Sequence, residues 1–351
     1  MASIYPRRDV PKRFAGGGFG YVGAVDQYVA VTEGLTKAFA PDAGVFDLDV
    51  EVPAGRIVGF VGPSGSGKTT TVRLMIGLIQ PDSGSIEVLG MTPTAFDPAT
   101  RGRVGYMPQS SILYPDLTLA QNLEFSASLY GMGRKSRSRL DDLVDFLDLE
   151  GAMTRVPAQA SGGEQRRLML AASLVHEPEL LFLDEPTAGI DPVLRRKVWD
   201  RLAEISDQGT SLIVTTQYVG EAAYCDYVAV LVEGKILFFD TPEGLRRVAF
   251  GGELVDVVFS ERPSSANLES LQTAASAESV ERVDDQRIRM VVEDAGTAGP
   301  VINEWSQTNR VEILETEAHV PPFDDVFVQL VDRQTSERQA AAGSADRPAR
   351  G

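Results

Sequence analysis

The chain has 351 residues, enough for one large α/β domain and a smaller one, and its 43% hydrophobic content suits a packed core rather than disorder. A formal net charge of −17 excludes a binder of the nucleic-acid backbone, because that affinity comes from clustered Lys and Arg. The one cysteine, Cys225, excludes an internal disulfide framework and fits a reducing compartment, and no run approaches the ~18 apolar residues of a membrane span, so any membrane role must pass through a separate subunit.

In chain order, residues 1–28 are rich in glycine and are expected to form a flexible arm. Gly18-Phe19-Gly20-Tyr21-Val22-Gly23 spells a dinucleotide-binding pattern by letters, but neither a strand before it nor a helix after it supports that reading. From 29 to about 249, short β-rich apolar runs alternate with longer helical patterns, as a mainly parallel α/β sheet demands. The clearest buried strands are 55–61, 179–183 and 211–215. Between the first two, residues 110–160 read as an inserted helical subdomain, with apolar residues at three- and four-residue spacings over 121–130 and 140–149.

The texture changes after Gly251. Strand 254–259, helix 267–275, strands 280–283 and 288–292, helix 301–305 and strand 311–314 follow in the order βαββαβ, which predicts a small ferredoxin-like α+β accessory domain over 250–334. A last helix is expected over 323–330, where Phe323, Val326, Phe327 and Leu330 share one face. Residues 335–351 are expected to be a disordered tail.

One segment carries explicit chemistry. Gly62-Pro63-Ser64-Gly65-Ser66-Gly67-Lys68-Thr69 fits G-x-x-x-x-G-K-[ST] and stands where a phosphate loop must, after a buried strand and before a helix. The glycines let backbone N–H groups turn inward on a phosphate, and the following helix adds the positive end of its dipole. Lys68 is placed to reach the β and γ oxygens of ATP, Thr69 to put its hydroxyl on Mg²⁺, and Thr70 to extend the binding segment into the helix. Downstream, Leu180-Leu181-Phe182-Leu183-Asp184-Glu185 ends an apolar strand in two carboxylates. Ligands of open α/β sheets gather beyond the carboxyl ends of the strands, so Asp184 is assigned to Mg²⁺ and Glu185 to the attacking water.

With Ser161-Gly162-Gly163-Glu164-Gln165-Arg166-Arg167 added, the chain resembles the ABC ATPase family, since this run is close to that family's signature sequence. Ser161-x-x-Glu164 is also a capping box, and Ala160 and Glu164 depart from the commoner Leu and Gln, so Glu164 is expected to turn back on its own cap. The resemblance implies the P-loop cassette fold: a mainly parallel sheet, an antiparallel β portion and a helical subdomain. It also implies a head-to-tail dimer, most simply of two copies, in which Ser161, Gly162 and Gly163 face the nucleotide of the other subunit. Phe39 resembles the aromatic that stacks on adenine, Gln109 the glutamine that senses Mg²⁺, and Asp191 the loop residue at the dimer seam. Where many relatives place a histidine after Thr-Thr, this chain has Gln217, which can donate a hydrogen bond to a γ-phosphate oxygen but carries no charge.

Thr215-Thr216-Gln217-Tyr218, the run from Asp240 to Leu245, and residues 321–332 look like the daunorubicin-resistance type of exporter ATPase. That branch implies an ATPase at the cytoplasmic face of the membrane, held by a separate transmembrane permease that exports drugs, lipids or related hydrophobic compounds. The alternatives are an importer cassette, whose hydrolytic parts would be identical, a soluble ABC ATPase that works without a permease, and a nucleotide switch that binds without hydrolysing.

Overall fold

A computed structural model describes residues 27–132 and 137–345. The expected arm lies outside the described residues except for its last two positions, as does the Gly18–Gly23 pattern. The chain divides into two compact units that part between Thr241 and Pro242.

The first unit opens with strands β1 (Tyr28–Ala40) and β2 (Ala43–Pro53), an antiparallel pair joined by a tight turn. Strand β3 (Ile57–Val61) is wholly buried, and helix α1 (Lys68–Met75) follows the phosphate loop. Strand β4 (Ser83–Val88) pairs with β1, completing a three-stranded antiparallel sheet in the order β2-β1-β4. Short helix α2 (Pro98–Arg101) begins under an Asp97 cap and leads to β5 (Val104–Met107). The stretch 110–160 then supplies α3 (Leu119–Leu129) and α4 (Arg137–Phe146), and α5 (Gly162–Leu174) begins just beyond it. Strand β6 (Leu180–Asp184), helix α6 (Pro192–Asp207) and strands β7 (Ser211–Thr216), β8 (Tyr227–Val232) and β9 (Lys235–Asp240) close the unit.

These strands form a six-stranded sheet in the order β5-β6-β7-β3-β8-β9, parallel except for the β8–β9 hairpin. The central strands read as unbroken apolar runs because both faces are covered. Val58, Phe60, Leu180, Phe182 and Ile213 pack with Val72 and Met75 of α1 and with Leu48 and Val50 of the antiparallel sheet in one core. Burying each large side chain contributes about 1.5–3 kcal/mol. The register decides where the chemistry sits: Val61 pairs with Thr216 and Asp184 with Thr215, so β3, β7 and β6 end on the same edge. The phosphate loop, Glu185 and Gln217 therefore leave the sheet side by side. The single thiol, Cys225, is buried.

The second unit begins with α7 (Pro242–Phe250), assigned from the sequence to the larger domain; in the structure it packs on the C-terminal helix and on the first strand of the smaller sheet. Strand β10 (Glu253–Phe259), α8 (Ser265–Ala274), β11 (Ser279–Arg282), β12 (Arg287–Val292), α9 (Ala295–Asn309) and β13 (Ile313–His319) follow in the expected βαββαβ order. The sheet order β11-β12-β10-β13, with every neighbouring pair antiparallel, is ferredoxin-like. Leu271 of α8 and Ile302 and Trp305 of α9 cover the face formed by Val255, Val257, Ile288 and Met290. Helix α10 (Phe323–Ala345) corrects the sequence reading, because the segment from Thr335, expected as a disordered tail, remains helical as far as Ala345. Its Glu337-Arg338-Gln339-Ala340-Ala341-Ala342 run is made of strong helix formers.

Candidate nucleotide-binding site

The phosphate loop is shaped by close approach and by glycine conformations. Gly67 has φ 101°, and a Cβ there would lie 2.7 Å from Val45 Cγ1 and 3.0 Å from the Gly44 carbonyl oxygen. At Gly62 a Cβ would meet the Leu231 carbonyl oxygen at 2.0 Å, so the loop is wedged between the two sheets with no room for side chains at those positions. Pro63, Ser64 and Gly65 are exposed, whereas Ser66 is buried with its hydroxyl free of any partner among the described residues. Lys68 is 4% exposed, and its Nζ donates to the Gly62 and Pro63 carbonyls at 2.7 and 2.9 Å. Burial pushes this ammonium down from the usual lysine range, while Glu185 and Asp184 hold it up. A cation drawn over a rim of carbonyls and turned amides is matched to an anionic ligand. Thr70 is half-buried in the first turn of α1 and makes no side-chain hydrogen bond among the described residues.

The carboxylates meet this loop directly. Thr69 Oγ1 donates to Asp184 Oδ1 at 3.0 Å, and Thr215 Oγ1 donates to the same oxygen at 2.6 Å. Asp184 is 1% exposed, yet its Oδ2 has no hydrogen-bond partner among the described residues. A buried anionic oxygen with an unused lone pair beside a threonine hydroxyl is a donor set for a hard divalent cation, so the residues fit Mg²⁺. No cluster of three or more His, Cys, Asp or Glu forms a closed metal cage among the described residues, so further ligands would come from phosphate and water.

Glu185 follows with φ 51°, a left-handed backbone that costs a non-glycine residue about 1–3 kcal/mol and that is retained where surrounding bonds enforce it. Here its amide is held by the Thr215 carbonyl at 3.0 Å and by the Thr215 hydroxyl at 3.1 Å. Gln109, two residues beyond β5, donates from Nε2 to Glu185 Oε2 at 2.9 Å. The resulting chain, Gln109 to Glu185 and Thr69 to Asp184 to Thr215, joins three strand ends in one polar cluster.

The other residues singled out from the sequence stand outside that cluster. Gln217 is exposed immediately after β7, next to the phosphate loop, whose Gly62 amide donates to the Thr216 carbonyl at 3.4 Å. Phe39 is 63% exposed near the end of β1, so it is not a core aromatic. Ser161 caps α5 in a full capping box: its hydroxyl accepts from the Glu164 amide at 3.2 Å, and Glu164 accepts from the Ser161 amide at 2.7 Å. Glu164 thus turns back on its own cap, as expected. Gly162 is exposed, and Gly163 lies against Leu194 of α6. Asp191 caps α6 through the amides of Val193 and Leu194, both at 3.0 Å. None of Phe39, Ser161, Gly162, Gly163, Asp191 and Gln217 hydrogen-bonds to the cluster among the described residues. Sequence reasoning missed Thr215, the shared partner of Asp184 and Glu185. It also missed Arg166, a half-buried guanidinium pushed down by burial and held up by Glu185 and Asp184.

A family model described as ABC transporter matches residues 45–188. The daunorubicin resistance ATP-binding protein DrrA2 of Streptomyces coeruleorubidus is 33% identical over 319 residues, covering 90% of this chain and 99% of that protein. The chain belongs to the ATP-binding proteins of ABC transporters. The Nod factor export ATP-binding protein I of Ralstonia nicotianae is 31% identical over 86% of this chain and 93% of its own length. A solved ATP-binding subunit of an ABC transporter superposes with TM-score 0.56 at 28% identity, covering 63% of this chain and 92% of that one. The cassette is thus an ATPase of the ABC family.

Proposed function

We propose that the cassette hydrolyses Mg-ATP in a head-to-tail pair of identical copies and that the cycle drives a separate transmembrane permease exporting a hydrophobic compound. The observation that carries the pairing is the split of the site. The hydrolytic half is assembled in one chain, from Lys68, Thr69, Asp184, Glu185 and Gln109, whereas Ser161 and Asp191 present capped helix starts that bond to none of it. At the start of α5 the amides of Gly162 and Gly163 and the helix dipole suit a phosphate, and a second copy would bring them to the γ end of the nucleotide.

In this reading the amides of Gly65 and Gly67 and the Lys68 ammonium hold the phosphates, and exposed Phe39 stacks on adenine. Thr69, Asp184 and Gln109 would hold Mg²⁺, which supplies charge neutralisation between phosphate oxygens. Glu185 accepts a proton from the water that attacks the γ-phosphorus, and Gln217 donates to a γ oxygen. Export is favoured by the full-length similarity to proteins named for daunorubicin resistance and Nod factor export. No helix among the described residues is long and apolar enough to cross a membrane, which is consistent with peripheral attachment at the cytoplasmic face through the permease.

The test uses full-length Glu185→Gln protein. With saturating Mg-ATP it should elute as a dimer by light scattering, and Ser161→Arg in the same background should return it to a monomer. A monomer at saturation in both, or a wild-type hydrolysis rate in Glu185→Gln, would remove the pairing or the role of Glu185 respectively.

A further inference from the structure

One buried acid near the site plays no part in the roles above. Glu221 is 2% exposed, in the short turn Val219–Tyr224 after β7. Its Oε1 accepts from Thr187 Oγ1 at 2.6 Å and its Oε2 from Thr216 Oγ1 at 2.5 Å. Arg195 Nε lies 3.3 Å from Oε1, an ion-pair contact without hydrogen-bond alignment, and the Arg195 guanidinium stacks 4.0 Å over the Tyr218 ring. Thr216 Oγ1 also accepts from the Tyr218 amide at 3.0 Å.

The three partners are not scattered over the fold. Thr187 is two residues past Glu185 and is part of the turn whose Ala188 amide returns to the Glu185 carbonyl at 3.2 Å. Thr216 and Tyr218 flank Gln217 on both sides, so the chain Tyr218 amide to Thr216 hydroxyl to Glu221 fixes the backbone from which Gln217 projects. Arg195 lies four residues past Asp191 in the first turns of α6 and also donates to the Ile190 carbonyl at 3.3 Å. A single carboxylate therefore ties together the loops that carry Glu185, Gln217 and Asp191. A buried acid must have its polar atoms satisfied, and here every partner belongs to a segment that carries one of the residues assigned above, Glu185, Gln217 or Asp191.

We propose that Glu221 is a positioning residue for hydrolysis: it locks Gln217 and Glu185 into one geometry and transmits the setting of the Asp191 loop to both. Gln217 makes the proposal specific to this chain. A glutamine offers only a hydrogen bond of fixed direction, with no charge acting at a distance, so its aim depends on the backbone held by Thr216 and Tyr218. Glu221 touches neither the phosphates nor the water; it acts through the residues it holds. The inference rests on Glu185 and Gln217 having the hydrolytic roles proposed above.

The experiment compares steady-state ATPase and Mg-ADP affinity in the full-length chain for Glu221→Gln, Thr187→Val, Thr216→Val and the Glu221→Gln/Thr216→Val pair. Glu221→Gln should lower kcat at least ~10-fold while KM for ATP and Mg-ADP affinity stay within about twofold, because ground-state binding does not pass through Glu221. Each threonine variant should lower kcat in the same way, and Thr216→Val should cost little more once Glu221 is already Gln, the mark of two groups acting as a unit. A purely structural acid would lower the melting temperature and leave kcat per folded molecule unchanged, and that result overturns the proposal. Should Glu221→Gln fail to fold, wild-type kcat in both folded threonine variants overturns it equally. Glu185→Gln runs alongside: wild-type hydrolysis there would sink the assignment of the site itself, whereas its loss together with unaffected Glu221 and threonine variants would sink only the positioning role.

Discussion

Thr215→Val probes the polar cluster with the least steric disturbance. Thr215 is fully buried and its hydroxyl has two duties: donating to Asp184 Oδ1 at 2.6 Å and accepting from the Glu185 amide at 3.1 Å. Valine has nearly the same shape and removes both. The Glu185 amide keeps the Thr215 carbonyl at 3.0 Å, so the main loss is the hydrogen bond to a buried carboxylate. Hydrogen bonds to charged groups are worth about 1.5–3 kcal/mol. For a unit of this size each kcal/mol shifts the melting temperature by about 2–4 °C, so the cassette transition should fall by about 3–12 °C. Among the described residues Asp184 then retains Thr69 at 3.0 Å as its one donor, and the Mg²⁺ concentration for half-maximal ATPase should rise. Thr215→Ser, which keeps the hydroxyl, should recover most of both effects. The assays are differential scanning calorimetry and a Mg²⁺ titration of turnover. A Thr215→Val protein that melts within ~1 °C of the parent and needs no more Mg²⁺ would refute the cluster's energetics.

Two further outcomes follow from the titratable and neutral groups. His176 is half-buried, stacks at 3.7 Å on Tyr130 and bonds through Nε2 to the Val104 carbonyl at 3.0 Å, and desolvation pushes its folded pKa below the ordinary histidine value. The fold favours the neutral ring, so the stability this residue contributes is complete above a pH of about 6.5 and is lost as the pH falls below that. His176→Phe keeps the stack without the titration; the melting-temperature gap between parent and variant should narrow from pH 7.5 to pH 5, and a gap independent of pH would contradict this. Gln217 cannot titrate, so ATPase turnover between about pH 6 and 8 should keep the same profile in Gln217→Ala at a lower rate, whereas Gln217→His should add an ionisation near pH 6–7. A steep parental profile that vanished in Gln217→Ala would count against this role.

The parts of the site that could be read from the sequence are those in which spacing itself has physical content. Glycines at 62, 65 and 67 before Lys68-Thr69 specify a loop that only a backbone without Cβ can make, and the apolar run ending at Asp184 specifies a buried strand with a carboxylate at its tip. The βαββαβ order was equally accessible, because β-rich and helical patterns succeed one another in that order after Gly251. What escaped depends on register and on contacts distant in sequence. Thr215 looks like any β-branched strand residue until β6 and β7 are paired, and only then does its hydroxyl meet Asp184. Glu221 reads as a surface turn acid; the contacts that bury it come from Thr187 and Arg195, 34 and 26 residues away. The length of α10 was missed because the Ala- and Gly-rich composition after Thr335 suggested a loose end, whereas its Glu, Arg, Gln and Ala residues continue the helix to Ala345.

The nucleotide site stands on Mg²⁺-supported capture of a triphosphate by the loop around Lys68. Calorimetric titration of the full-length chain with ATP should show affinity that strengthens with Mg²⁺ and disappears in Lys68→Ala, with the variant folded as the parent. Wild-type protein that shows no Mg²⁺-supported nucleotide binding, or binding that survives Lys68→Ala undiminished, would contradict it.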